Sequence, residues 1–155
     1  MQRQLRLFKR LVPLLALAAL LSAAPARADG RLESIDITTS AGPQKFSVEM
    51  MQTDAEHERG LMFRRYMPDD RGMLFNFHKA EPVMMWMKNT YIPLDMIFTD
   101  QSGTITTIIE NAEPMSETIL PSNGPVFSVL EVNGGTVARL KIQRGDKMHA
   151  SIFEK

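Results

Sequence analysis

The sequence predicts a small, mainly β domain, an antiparallel sandwich or barrel with one or two short helices. Three observations carry this. Short apolar runs, several alternating with period two, recur between clusters of Gly, Pro, Asn and Asp, the pattern of strands joined by turns. One clear helix-start signal, Thr53-Asp54-Ala55-Glu56, stands among them. The stretch Met84–Phe98 is apolar on both faces of any strand it forms, which places it centrally and not at an edge.

The N-terminus reads as a separate segment. Residues 1–10 carry Arg3, Arg6, Lys9 and Arg10 and no acid. A Leu/Ala/Val run follows over 11–24, then Ala26-Arg27-Ala28, a small-x-small cleavage site. This is the layout of a secretory signal peptide over 1–28, too short for an ordinary spanning helix. The expectation is an exported protein, periplasmic or extracellular, with residues 29–155 as one domain. An uncleaved signal sequence is the one membrane attachment the sequence suggests. Removing the five bases of 1–28 from 18 leaves 13 against 18 acids, a net charge of −5. That balance argues against nucleic acid, which needs a basic patch. At 44% apolar and 23% charged, the chain can bury a core of its own. It has no cysteine, hence no disulfide and no thiolate for a nucleophile or zinc.

Taken in order, 29–34 is a lead-in and Ile35–Thr38 alternates as a strand. Ser40–Pro43 turns the chain into a second strand, Lys45–Met51, with Phe46, Val48 and Met50 on one face. The capping box opens a helix over about 54–64, weakened at Gly60, where close packing is expected. Pro68–Gly72 is a turn and Met73–Phe77 a strand. If Met84–Lys88 and Asp95–Thr99 form an antiparallel hairpin, Lys88 faces Asp95 and Trp86 faces Ile97. Thr104–Ile109 is the next strand, 110–125 is irregular, and Val126–Val132 is a strand ending at Asn133-Gly134-Gly135. Val137–Ile142 suits either a strand or a short helix, and Lys147–Phe153 is a last strand.

Several of these pieces together resemble one bacterial and archaeal family. They are Arg59-Gly60-Leu61-Met62-Phe63-Arg64, Gly72-Met73-Leu74-Phe75, Trp86-Met87-Lys88-Asn89-Thr90 with Pro93-Leu94-Asp95, Leu130-Glu131-Val132-Asn133-Gly134-Gly135, and Gly145-Asp146. Over about residues 45–150 the chain is similar to uncharacterised protein family 0127, the domain of unknown function 192. The resemblance implies a small, mainly β domain, often exported or membrane-tethered. It implies no activity, cofactor or catalytic residue, so function rests on the residues themselves.

The polar groups set against the apolar Met84–Phe98 stretch mark the candidate site: Trp86, Lys88, Asn89, Thr90 and Asp95, with Glu131 on an inward-looking strand. Arg59 and Arg64 flank the helix and offer guanidinium forks to an anion or to these carboxylates. The leading reading is a binding module with a cleft around Trp86, Lys88 and Asp95, for a small molecule or an envelope protein. The competing structural role for Lys88 and Asp95 is an ion pair fixing hairpin register. A second functional reading makes Asp95 and Glu131 the acid–base pair of a hydrolase or lyase. No nucleophile motif supports it, so no catalytic residue is assigned. A third reading is a periplasmic copper(I) carrier using Met85, Met87 and Met96, with His78. Core filling by a flexible side chain is the better explanation of those methionines. His57, His78 and His149 lack metal-ligand spacing, so no metal site and no cofactor are expected.

Overall fold

The computed structural model describes residues 32–154, and the signal-peptide segment and its cleavage site lie outside them. The described residues form seven strands: β1 (Leu32–Thr39), β2 (Gly42–Met51), β3 (Arg71–Met85), β4 (Leu94–Thr99), β5 (Ile105–Ala112), β6 (Leu120–Asn133) and β7 (Lys147–His149). Two short helices join them, α1 (Asp54–Arg59) and α2 (Thr136–Leu140). All seven strands belong to one sheet, in the order β5-β4-β6-β3-β2-β1-β7. The sheet curls into a half-barrel. Its edges approach each other at a Thr104–Lys147 bridge, beside the Ile105 N–H to Asp146 carbonyl bond of 2.9 Å. No helix among the described residues is long and apolar enough to cross a membrane.

Alternation along the strands separates two apolar clusters. Ile35, Ile37, Phe46, Val48, Leu74, Ile97, Ile105, Leu130, Val132 and Met148 pack together. They come from all seven strands, so this cluster fills the inside of the curl. The second cluster draws on Met73, Phe75, Met96, Phe98 and Val129 of β3, β4 and β6. It lies on the outer face, covered by Leu61, Met67 and Met87 from the connecting segments. Each such side chain fully removed from water contributes about 1.5–3 kcal/mol. Because β6 is central, its residues alternate between the clusters: Leu130 and Val132 face in, Val129 and Glu131 face out.

The capping box forms as predicted. The Thr53 hydroxyl accepts from the Glu56 N–H at 3.3 Å, and the Glu56 carboxylate accepts from the Thr53 N–H at 2.9 Å. The helix stops at Gly60, earlier than expected. Gly60 has a φ of +43°, and a Cβ there would come within 3.2 Å of the Phe75 ring. α1 therefore packs onto β3 at the predicted tight point.

Other expectations are corrected. Met84–Lys88 and Asp95–Thr99 are not a hairpin: β6 lies between β3 and β4 and pairs with both. The chain leaves the sheet after Met85, and Trp86–Pro93 is a loop over the outer face. The sheet is not wholly antiparallel, because β2 and β3 pair in parallel across the α1 connection. Residues 110–125 are irregular only over 113–119, since β5 reaches Ala112 and β6 starts at Leu120. Pro114 lies between the strands, and Pro121 and Pro125 pair with the part of β3 that carries the register shifts. Residues 136–140 form α2, and the last strand ends at His149, followed by a 3-10 turn over Ser151–Phe153.

Candidate functional site

A cavity of about 230 Å³ opens on the outer face of the sheet. One wall is α1 and the residues after it, including His57, Arg59 and Met62. The other is the end of β3 and its loop, with Val83, Met84, Met85, Trp86, Lys88 and Thr90. Phe75, Phe77 and Glu131 also line it.

Glu131 sits in the middle of the sheet. Its cross-strand partners are Met73 on β3 and Met96 on β4, both on the outer face and both buried. Gly72 permits the close approach of β3, since a Cβ there would lie 2.8 Å from the Glu131 carbonyl. Glu131 is only 4% exposed. Burial pushes its carboxyl up from 4.5 to about 8. Among the described residues every fully buried side-chain oxygen and nitrogen has a partner. The Glu131 oxygens, which have none, therefore keep their residual exposure toward the cavity. At neutral pH this is a largely protonated acid at the base of an apolar cleft.

The mouth carries the aromatic and cationic groups. Trp86 is 43% exposed, and the Lys88 ammonium lies 5.4 Å from its ring centroid. A cation–π contact at a half-exposed site contributes about 0.5–1 kcal/mol. The Thr90 hydroxyl donates to the Lys88 carbonyl at 3.3 Å and its N–H to the Met87 carbonyl at 3.0 Å, shaping the turn that presents Lys88. The His57 Nε2 donates to the Met51 carbonyl at 3.1 Å, and its ring packs on Phe77 at 4.9 Å between centroids.

Of the residues singled out from sequence, Trp86, Lys88, Thr90, Glu131 and Arg59 come together here. Asn89, Arg64 and Asp95 do not line the cavity. Asn89 is a loop clamp: at φ +54° its carbonyl accepts from the Phe63 N–H at 2.8 Å, tying the Trp86–Pro93 loop to the segment after α1. Arg64 makes a two-pronged ion pair with Glu49, one arm 2.6 Å long, which raises the guanidinium pKa further.

Asp95 is the larger correction. It forms no ion pair with Lys88: the pairs among the described residues are Arg64–Glu49 and Lys79–Glu81. Asp95 pairs with Val132, so it points to the inner face, opposite to Glu131. There its fully buried carboxylate accepts the N–H groups of Asn111 at 2.8 Å, Gly135 at 3.1 Å and Val137 at 2.8 Å. It thus anchors the Gly134-Gly135 turn and the start of α2 to the sheet. The sheet also separates the Asp95–Glu131 acid–base pair, which cannot share one substrate. The methionines of the copper(I) set, Met85, Met87 and Met96, all pack in the one outer cluster. Met87 and Met96 are closed from solvent in the outer cluster, and the His78 ring donates to the Gln52 carbonyl at 3.0 Å on the β3 bulge.

The sequence did not single out His57, Met62 or Met84 as site residues. The available signals were the capping box, which projects His57 from a helix of fixed start, and Gly60, which brings that helix against β3.

Fold and cavity together define a small curled-sheet domain with one carboxyl-floored cleft on its outer face. The chain belongs to the DUF192 family, described as "Uncharacterized ACR", whose profile matches residues 35–150. No curated protein matches at a significant level. Among solved structures, the chain is similar to a "putative transcription regulator" from Sinorhizobium meliloti 1021. The two are 46% identical with a TM-score of 0.79, over 81% of this chain and 98% of that one. It is also similar to a protein of unknown function from Novosphingobium aromaticivorans DSM 12444, at 40% identity and TM-score 0.76, over 83% and 94% of the two chains.

Proposed function

We propose that the protein is an exported binding domain that holds a small molecule in the cleft between α1 and Trp86. The observation that carries this is the Glu131 carboxyl, buried, without a hydrogen-bond partner among the described residues and lining the cavity. Leaving a polar group so placed costs stability, whereas an apolar residue between Met73 and Met96 would complete the outer cluster. The cost is offset when a ligand supplies the missing partner. An apolar cleft with a few convergent polar groups is the usual form of such sites. The export part of this reading is supported by the signal-peptide pattern of residues 1–28.

The test is thermal melting of wild type, Trp86→Ala and Glu131→Met across a panel of water-soluble metabolites. A ligand at about 100 times its dissociation constant stabilises the native state by about 2.7 kcal/mol. The expected result is stabilisation of wild type by some member of the panel and loss of that effect in both variants. Equal stabilisation of all three proteins places the site elsewhere.

A further inference from the structure

We propose that the cleft takes a compact organic cation, an ammonium-bearing molecule whose charged end pairs with the Glu131 carboxyl and whose carbon frame lies against Trp86, Met62 and Met85. This deepens the binding reading above and rests on it.

Three observations favour a cation. Once ionised, a carboxyl only accepts hydrogen bonds, and among the described residues Glu131 receives none, so an ammonium supplies both charge and donors. The Trp86 ring already holds an ammonium, that of Lys88, at 5.4 Å, which shows that the mouth accommodates a cation on that face. The thioethers on the walls are not sealed core filling: Met84 is 74% exposed, and Met62 and Met85 are half-buried. Their polarisable sulfurs and flexible chains suit the alkyl part of such a ligand.

The charges around Glu131 are few. From the helix side His57, Glu58 and Arg59 line the cleft, and from the loop Lys88 does. The strand neighbours of Glu131 are Met73 and Met96, which do not titrate. Arg59 is exposed and Lys88 half-exposed, so solvent screens their repulsion of an incoming cation. An anion would gain from these two residues but would place its charge against the carboxyl floor if it entered fully.

Binding in this form moves a proton. Near neutral pH the free carboxyl is mostly protonated, and it pairs with the ammonium as a carboxylate. One proton therefore leaves Glu131 for solvent as the ion pair forms.

The experiment uses Trp86, the chain's one tryptophan, as a fluorescent reporter on the cleft wall. The purified protein is titrated with n-butylammonium chloride, n-butanol and sodium butyrate at pH 6, 7 and 8. The expected result is saturable binding of butylammonium, with butanol and butyrate at least about tenfold weaker. With the Glu131 carboxyl titrating at about 8, the apparent dissociation constant falls about 50-fold between pH 6 and pH 8. Glu131→Gln weakens binding and flattens this dependence. If that variant does not fold, calorimetry of wild type at pH 7 in two buffers of different ionisation enthalpy gives the same information, close to one proton released per cation bound. Butyrate or butanol binding as tightly as butylammonium overturns the cation assignment and leaves the binding cleft standing. No response to butylammonium also overturns it. Silence from all three probes together with a metabolite screen that stabilises nothing removes the cleft as a binding site altogether.

Discussion

Asp95→Ala is expected to destabilise the domain by about 4–5 kcal/mol, measured by urea unfolding at neutral pH. The carboxylate accepts three backbone N–H groups, from Asn111, Gly135 and Val137, in a fully buried setting. Hydrogen bonds to a charged acceptor contribute about 1.5–3 kcal/mol each, and amides left without partners add their desolvation cost. Removing the side chain frees the turn before α2 and the β5 backbone at Asn111 together, so the losses share one origin and do not simply add. Asp95→Asn keeps one acceptor oxygen but turns an NH2 toward an N–H donor, and is expected to cost about 2–3 kcal/mol. Lys88→Met is expected to cost less than about 1 kcal/mol, because Lys88 touches the Trp86 ring and not Asp95. A large Lys88 effect that depends on Asp95 would show that the two residues are coupled after all.

Wild type is expected to lose stability with rising pH, and Glu131→Gln to remove that loss. The unfolded carboxyl titrates near 4.5 and the folded one at about 8. Between these values the native state binds the extra proton, so unfolding free energy falls by about 1.4 kcal/mol per pH unit. Below the window both states are protonated and above it both are ionised, so the contribution is flat on either side. Across the window the loss is on the order of 5 kcal/mol, an upper limit that water entering the cleft reduces. For a domain whose whole stability is about 5–15 kcal/mol this is large. Chemical denaturation of wild type and Glu131→Gln between pH 5 and pH 9 checks it. Parallel pH profiles for the two proteins would show that Glu131 is ionised and comfortable in the native state.

What could be read from the sequence divides by range. The Thr53–Glu56 box is a three-residue signal with its mechanism built in, and it forms as written. Gly60 announced tight packing because glycine is poor in a helix, and it lies against Phe75. Period-two alternation over Val126–Val132 sets Val126, Leu130 and Val132 on one side and Phe127, Val129 and Glu131 on the other. It holds for 129–132 but fails at Val126, which packs with Val129 in the outer cluster where the ladder with β3 is irregular. The partner of each strand was not legible. Met84–Lys88 and Asp95–Thr99 look like a hairpin because they are adjacent and apolar, yet β6, far along the chain, inserts between β3 and β4. That single non-local pairing converts Asp95 from a site residue beside Lys88 into an inner-face anchor for α2. It also leaves Glu131 alone on the outer face. Trp86, Lys88 and Thr90 reach the cleft through a loop and not a strand, which alternation cannot reveal.

The most direct test of the Glu131 cleft is the titration of Glu131 itself, read from its side-chain carboxyl carbon by NMR in the free protein, with Glu131→Gln used to assign the signal. The midpoint is expected near 8, far above the ordinary 4.5. Butylammonium is expected to lower it, since a bound cation favours the carboxylate. A midpoint near 4.5 in the free protein would mean that the carboxyl already has a solvated or charged partner, and would contradict the unpartnered acid on which the site is built.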